Sequence, residues 1–320
     1  MVNTEPWLKK YSFKPGKLLL FSAFFFAPAL SPSLFGWLNG LLAASVFYLL
    51  TVDGFKPGVA QLRISLLIAG IGALLVHRLE IFLFSLTLIP LGCSLFKSAA
   101  TRESAAVSGG KGVAVLGLTW LVFWGVYGAV TETNPYRYLL EVLDLGFQQS
   151  LEFYTSPEAG LPPEMVYTLQ EVTRGIKKAL PALLPGLLVS VLICTVWINM
   201  ATCNSLMNHF RKGYFPWGKY STWRLPEQLV WVPITATTVM LLGQGDLQYT
   251  GGWILLISGL LYFFQGLAVV IAMLERWNIP VYVRGMLYFV LIIQSYGLLL
   301  LALLGISDTW FNFRQKIEER

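Results

Sequence analysis

The residues best placed to do chemistry in this 320-residue chain are uncharged amides and hydroxyls set inside apolar stretches. They are Asn39, Asn199, Thr235, Thr237, Thr238, Gln265 and, beside Ser295 and Tyr296, Gln294. A buried amide needs hydrogen-bond partners. Two readings stay open: bonds from helix to helix, or a pocket for a neutral or amphipathic small molecule, with Asn199, Gln265 and Gln294 as ligand contacts. Catalytic sets are not visible. The two histidines, His77 and His209, stand apart from any HExxH or paired-carboxylate pattern, and His77 sits beside Arg78 and Glu80 at a helix boundary. No membrane serine has a placed His or Lys partner. Ser108-Gly109-Gly110-Lys111-Gly112 lacks the spacing and the Ser or Thr of a phosphate loop and reads as a flexible turn. Cys93, Cys194 and Cys203 fit no zinc spacing and read as small packed hydrophobes. The expectation is therefore a non-enzyme without metal or cofactor.

These groups are positioned by membrane helices. Hydrophobic residues make up 56% of the chain and charged ones 12%, against about 25% charged in soluble domains. Nine apolar segments stand out: 18–30, 34–52, 64–76, 81–96, 112–131, 180–203, 228–243, 252–274 and 285–305. A span needs about 20 apolar residues, so 18–30 and 64–76 read as thin, tilted or re-entrant. The fold class is all-α, a polytopic transmembrane bundle of about eight or nine segments. No Asp, Glu, Lys or Arg occupies the middle of a segment, which argues against a proton pump or proton-coupled porter. Sodium coupling through carbonyls and hydroxyls stays compatible.

The net charge of +6 belongs to the loops, where Lys and Arg set orientation; nucleic acid is not an expected partner. Lys9, Lys10, Lys14 and Lys17 place the N-terminal tail, 1–17, in the cytoplasm, ahead of a retained first span. Membrane helices 18–131 follow, then an outward segment 132–179, then membrane helices 180–305 interrupted by a cytoplasmic loop 206–227, and a tail 306–320. Together these form a single membrane domain. Nine crossings would leave Arg314, Lys316 and Arg320 outside, against the charge bias. Either one late segment does not cross or the tail tolerates that side.

Leu139, Val142, Leu143, Phe147, Leu151 and Tyr154 recur at helical spacing, with Arg137, Glu141, Asp144, Gln148 and Glu152 opposite. Beyond Pro157 and Pro162-Pro163, Met165, Leu169, Val172 and Ile176 mark a second amphipathic helix. The two predict an external helical hairpin on the membrane surface, either an interfacial pair or a cap over a pocket. Residues 207–228 mix His209, Arg211, Lys212, Lys219 and Arg224 with aromatics including Trp217, the pattern of an interface anchor or a docking surface. Gly36-x-x-x-Gly40 and Ala23-x-x-x-Ala27 are small-residue spacings that permit close helix approach.

Several stretches resemble a known family. Arg224-Leu225-Pro226-Glu227 leading to Trp231, Tyr262-Phe263-Phe264-Gln265-Gly266-Leu267-Ala268, and Gly305 through Arg314 are similar to the YybS-like proteins, uncharacterised bacterial multispanning membrane proteins. The turn Asp53-Gly54-Phe55-Lys56-Pro57-Gly58 resembles the same family, whose members often carry Asp where Asn312 stands. The first six spans also resemble, in layout, the substrate-binding subunits of energy-coupling-factor vitamin transporters. In those, an Ala-x-x-x-Ala pattern on the first helix docks the coupling partner, which makes Ala23 and Ala27 candidate partner contacts. The rod-shape protein MreD has a related scaffold. The resemblance implies a small-molecule-binding transporter subunit without its own ATPase; the alternative is a structural or regulatory scaffold that recruits envelope or cytoplasmic partners. Expected partners are the bilayer, an unknown small molecule, and a membrane coupling subunit or envelope protein.

Overall fold

Apolar sequence at this density folds as helices, because inside a bilayer the backbone must satisfy its own hydrogen bonds. The computed structural model describes residues 15–156, 159–210 and 214–314, and among these it contains helices and no strand. In chain order they are α1 (Pro15–Leu30), α2 (Pro32–Phe35), a 3-10 stretch (Gly36–Leu41), α3 (Leu42–Val52), α4 (Phe55–Leu75), α5 (Leu79–Leu86) and α6 (Ile89–Ala100). There follow α7 (Ala105–Thr131), α8 (Pro135–Thr155), α9 (Pro163–Phe210), α10 (Trp231–Leu242), α11 (Asp246–Arg276), α12 (Val281–Ile293) and α13 (Ser295–Phe311). Lys9, Lys10, Lys14, Pro157, Arg211, Lys212, Lys316 and Arg320, used above for orientation or as helix breaks, lie outside the described residues.

Six helical segments are long and apolar enough to cross a membrane: 32–52, 55–75, 79–100, 105–131, 163–210 and 246–276; 15–30, 227–242 and 296–311 are shorter apolar helices. The bundle of about eight or nine segments expected from hydropathy is thus the architecture found. Segment 64–76 is not short after all, because its helix begins at Phe55, nine residues before the apolar run.

Four local expectations are corrected. The run 285–305 is not one helix: Gln294 is extended (ψ 119°) and Gly297 donates to the Gln294 carbonyl at 2.8 Å. Gly297 sits so close to the Leu291 carbonyl that a Cβ there would collide with it. The glycine-rich stretch 108–112 is not a flexible turn but part of α7. A Cβ on Gly112 would lie 2.8 Å from Val196 and 3.1 Å from Leu91, so this glycine lets α7 seat closely against α9 and α6. Gly36 and Gly40 are not a close-packing pair, since nothing lies within 4 Å of a Cβ at either. Trp217 is not a contact on the protein surface: it is buried, and its indole N–H donates to Ser108 Oγ at 2.9 Å.

The chain divides into two compact units, residues 1–120 with 192–219, and 121–191 with 220–320. In the first, α1 packs on α3 and α4, and α3 packs on α6. Lys17 Nζ reaches Asp53 Oδ1 at 2.6 Å and lies 5.7 Å from the Tyr48 ring centre, tying α1 to the end of α3. In the second, α10 and α13 pack on α11. Its hairpin of α8 and the start of α9 is held by Lys177–Asp144 at 2.7 Å and by Tyr136 O–H to the Pro181 carbonyl at 2.7 Å. The amphipathic pair expected over 132–179 is present. Its second helix continues without interruption into the membrane segment as one 48-residue helix.

Candidate functional site

Each unit has its own polar centre. In the first, two spans are interrupted. One changes to 3-10 geometry at Gly36–Leu41; the other breaks at Thr87–Leu88, just before Pro90, which lacks the N–H to continue a helix from the preceding turn. Asn199 Nδ2 donates to the Gly40 carbonyl at 2.6 Å and to Thr195 O at 2.8 Å, while its Oδ1 accepts from Ala44 N–H at 2.8 Å. One fully buried amide therefore bridges α9 to the end of the 3-10 stretch and to the first turn of α3. Asn39, half-buried in that stretch, accepts from Ser85 Oγ at 2.6 Å. One turn on, Trp120 Nε1 donates to Thr87 Oγ1 at 3.1 Å. The two interruptions are thus cross-linked by uncharged side chains. Interrupted spans with uncharged polar groups are the form that solute and ion sites take in transporters.

In the second unit the centre is charged. Arg314 Nη2 and Nε reach Asp308 Oδ2 at 2.8 and 3.2 Å, and its Nη1 reaches the carbonyls of Ser221 and Trp223 at 2.9 and 2.8 Å. Gln265 Nε2 donates to Gly305 O at 3.1 Å and Asp308 Oδ2 at 3.3 Å, and its Oε1 accepts from Leu225 N–H at 3.1 Å. Arg224 Nη1 reaches Asn312 Oδ1 at 3.2 Å, and Tyr220 O–H reaches the Phe264 carbonyl at 2.7 Å. The side chains of Arg314 and Asp308 are 6% and 1% exposed, so the pair depends on the hydrogen bonds made by the guanidinium and by Asp308 Oδ2, while Asp308 Oδ1 is buried with no hydrogen-bond partner among the described residues. Close approach makes it possible: a Cβ on Gly266 would collide with the Leu301 carbonyl, and one on Gly305 with the Tyr262 carbonyl.

The structure scatters the three sequence-derived ligand contacts. Asn199 belongs to the first centre and Gln265 to the second, each with its amide engaged on backbone. Gln294 is exposed at the turn between α12 and α13. Thr235, Thr237 and Thr238 each donate to a carbonyl four residues back in α10. Ala23 is exposed and Ala27 half-buried on a face of α1 that also exposes Leu19, Leu20 and Leu30. Sequence reasoning missed Ser85, Thr87 and Trp120 at the first centre; Pro90, three residues after Thr87, was the available signal of the break. It reached Asp308 only within a resemblance, and Arg314 otherwise only as a tail charge. An open cleft of about 610 Å³ at the α4–α5 turn is lined by Leu74, Leu75, His77, Leu79 and Glu80. Among the described residues, no group of three His, Cys, Asp or Glu side chains gathers to hold a metal.

Helices of this length and apolarity, with their polar groups turned inward on one another, define a polytopic helical membrane protein. Residues 19–309 match the family model DUF2232, described as "predicted membrane protein", and the chain belongs to that family. Neither the curated proteins nor the solved structures contain a match. The three C-terminal stretches that carried the YybS-like resemblance meet in the second polar centre, through Leu225–Gln265, Gln265–Gly305 and Arg224–Asn312.

Proposed function

We propose that this protein binds a small uncharged or zwitterionic solute in the membrane and serves as a transporter subunit without its own motor. The observation that carries the reading is the pair of interrupted spans cross-linked by Asn39–Ser85 and bordered by Thr87 and Trp120. An interruption at membrane depth exposes polar backbone, which is tolerated where it is buried in protein or lines a cavity. Asn199 fixes the interruption, and Asn39, Ser85, Thr87 and Trp120 are the groups offered to the solute. The layout of the first unit, with parts of six apolar helices including α7 and α9, accords with the energy-coupling-factor resemblance. Ala23 and Ala27, on the outward face of α1, are then the contact for a coupling subunit. The Lys and Arg distribution supports a bacterial cytoplasmic membrane, a cytoplasmic N-terminus and an outward hairpin.

The test is mass spectrometry of small molecules retained by the mildly extracted protein. Wild type retains one solute; Asn39→Leu and Ser85→Val lose it while unfolding at an unchanged temperature. Ala27→Trp keeps the solute but loses both the co-purifying partner and uptake in cells. If nothing is retained and neither substitution alters uptake, the solute reading fails. The second reading, a partner-recruiting scaffold of the MreD kind, draws on the engagement of Asn199 and Gln265 with backbone, since groups spent this way stiffen a bundle. That reading requires partner co-purification to survive Asn39→Leu.

A further inference from the structure

The hairpin carries more apolar surface than its own packing consumes. On α8, Leu140, Leu143, Phe147 and Leu151 are half-buried, whereas Tyr138, Val142, Leu145 and Phe153 are 51%, 46%, 54% and 64% exposed. At 100° per residue the second set is centred nearly half a turn from the first, with Val142 and Phe153 on the side away from Asp144. On α9, Val166, Leu169 and Thr173 are half-buried, while Met165, Val172 and Ile176 are 52%, 55% and 42% exposed. The Asp144–Lys177 pair marks the opposite flank of both helices, where Glu141 and Gln148 stand on α8 and Arg174 stands on α9. The two helices run antiparallel, with Tyr136 at Pro181 and Asp144 at Lys177. In an antiparallel pair, arcs displaced in the same rotational sense from the contact line fall on the same side. The hairpin is therefore a two-helix slab with one apolar and one polar face.

We propose that the two hairpin helices, 135–155 and 163–179, lie in the lipid–water interface, with this apolar face on the acyl chains and the polar face in water. Continuity decides for lipid. α9 runs without interruption from the hairpin into a membrane segment in which Leu187 and Val191 are 37% and 50% exposed. One end of the slab is thus fixed at the membrane. The other end of the slab also starts at the membrane. Glu132 is left-handed (φ 54°), Thr133 N–H returns to the Gly128 carbonyl at 3.2 Å, and Pro135 packs on Gly128, so α8 leaves the end of α7 by a sharp turn. A bend is provided for. Pro185 has no N–H, so the Pro181 carbonyl four residues back has no helical donor; the Tyr136 hydroxyl supplies one from α8. An amphipathic slab with a charged face and aromatic residues on the other is the form of an interfacial anchor.

The test uses the full chain with Cys93, Cys194 and Cys203 replaced, reconstituted in vesicles of phosphatidylcholine and phosphatidylglycerol. Spin labels are attached at Val142→Cys, Phe153→Cys, Val172→Cys and Ile176→Cys, and for comparison at Glu141→Cys, Gln148→Cys, Gln170→Cys and Arg174→Cys. The first set should collide with oxygen several-fold more often than with a water-soluble nickel chelate, and the second set should show the reverse. Two positions per helix keep the test intact if one variant does not fold. Nickel access at both sets overturns the proposal, because the hairpin then stands in water. Shielding of the first set from both probes also overturns it, because a protein partner or a second copy then covers that face.

Discussion

The two polar centres solve different problems with different groups. In the first unit, Asn199 and Asn39 serve interrupted helices, and a neutral amide suffices because it offers donor and acceptor together. In the second, α11 and α13 are unbroken and touch backbone to backbone, and the centre fastens the 220–225 segment to them with a buried ion pair. A neutral centre can lose one bond and remain soluble in its surroundings. A charged one fails when either ion is left alone. The contrast implies that the first centre tolerates the loss of a single bond, whereas the second is a fixed clamp.

Arg314→Ala should have the largest effect. It leaves Asp308 buried without its counter-ion, a change of about 3–5 kcal/mol, and should lower the unfolding temperature measured by tryptophan fluorescence in detergent. The double variant Asp308→Leu with Arg314→Met should recover most of that loss. If it is no better than the single variant, the clamp is more than electrostatic compensation. Gly266→Ala comes next: its Cβ meets the Leu301 carbonyl, and overpacking of this kind costs about 1–3 kcal/mol. Gly40→Ala in the first unit meets nothing and should fall within about 0.5 kcal/mol of wild type by the same measurement. Equal effects at the two glycines would erase the distinction between a tight crossing and a loosely walled interruption.

Asn199→Leu removes three bonds and should cost about 1–3 kcal/mol for the stranded backbone groups. Hydrogen exchange at Ala44 should rise while exchange at Leu225 stays unchanged. The smallest effect belongs to Glu103, held below the ordinary glutamate range by its bonds from Lys111 and Ser98. A lowered folded-state value stabilises the fold above the ordinary glutamate range, and that contribution fades as pH falls through the lowered value. Glu103→Gln should thus differ slightly from wild type at neutral pH and converge with it in acid, as followed by thermal unfolding across pH.

Much of this was legible in the chain. Apolar length and scarce charge gave the membrane class, and the 139–154 and 165–176 periodicities gave the hairpin, because both are local patterns that one helix imposes on its own sequence. The 3-10 interruption was not, since the run 34–52 stays apolar through that stretch apart from Asn39; the break at Thr87–Leu88 had its mark in Pro90. Asn199 and Gln265 stood out as polar residues in apolar surroundings, but their partners lie 155 and 40 positions away. Hydropathy has no access to such separations. Gly297 beside Gln294 was a readable mark of the α12–α13 turn, masked by the leucines around it.

Sequence separation also sets a timetable. Ser221 precedes Arg314 by 93 residues, and at about 5–20 residues per second a ribosome needs roughly 5–20 seconds to cover that distance. The Gly40 carbonyl waits longer for Asn199, 159 residues on. During synthesis, therefore, the first unit completes its amide bridge before the second can close its clamp, and Asp308 emerges only six residues ahead of the arginine that neutralises it. The carboxylate is followed within about a second by its counter-ion, whereas the 220–225 segment must be held open until both arrive.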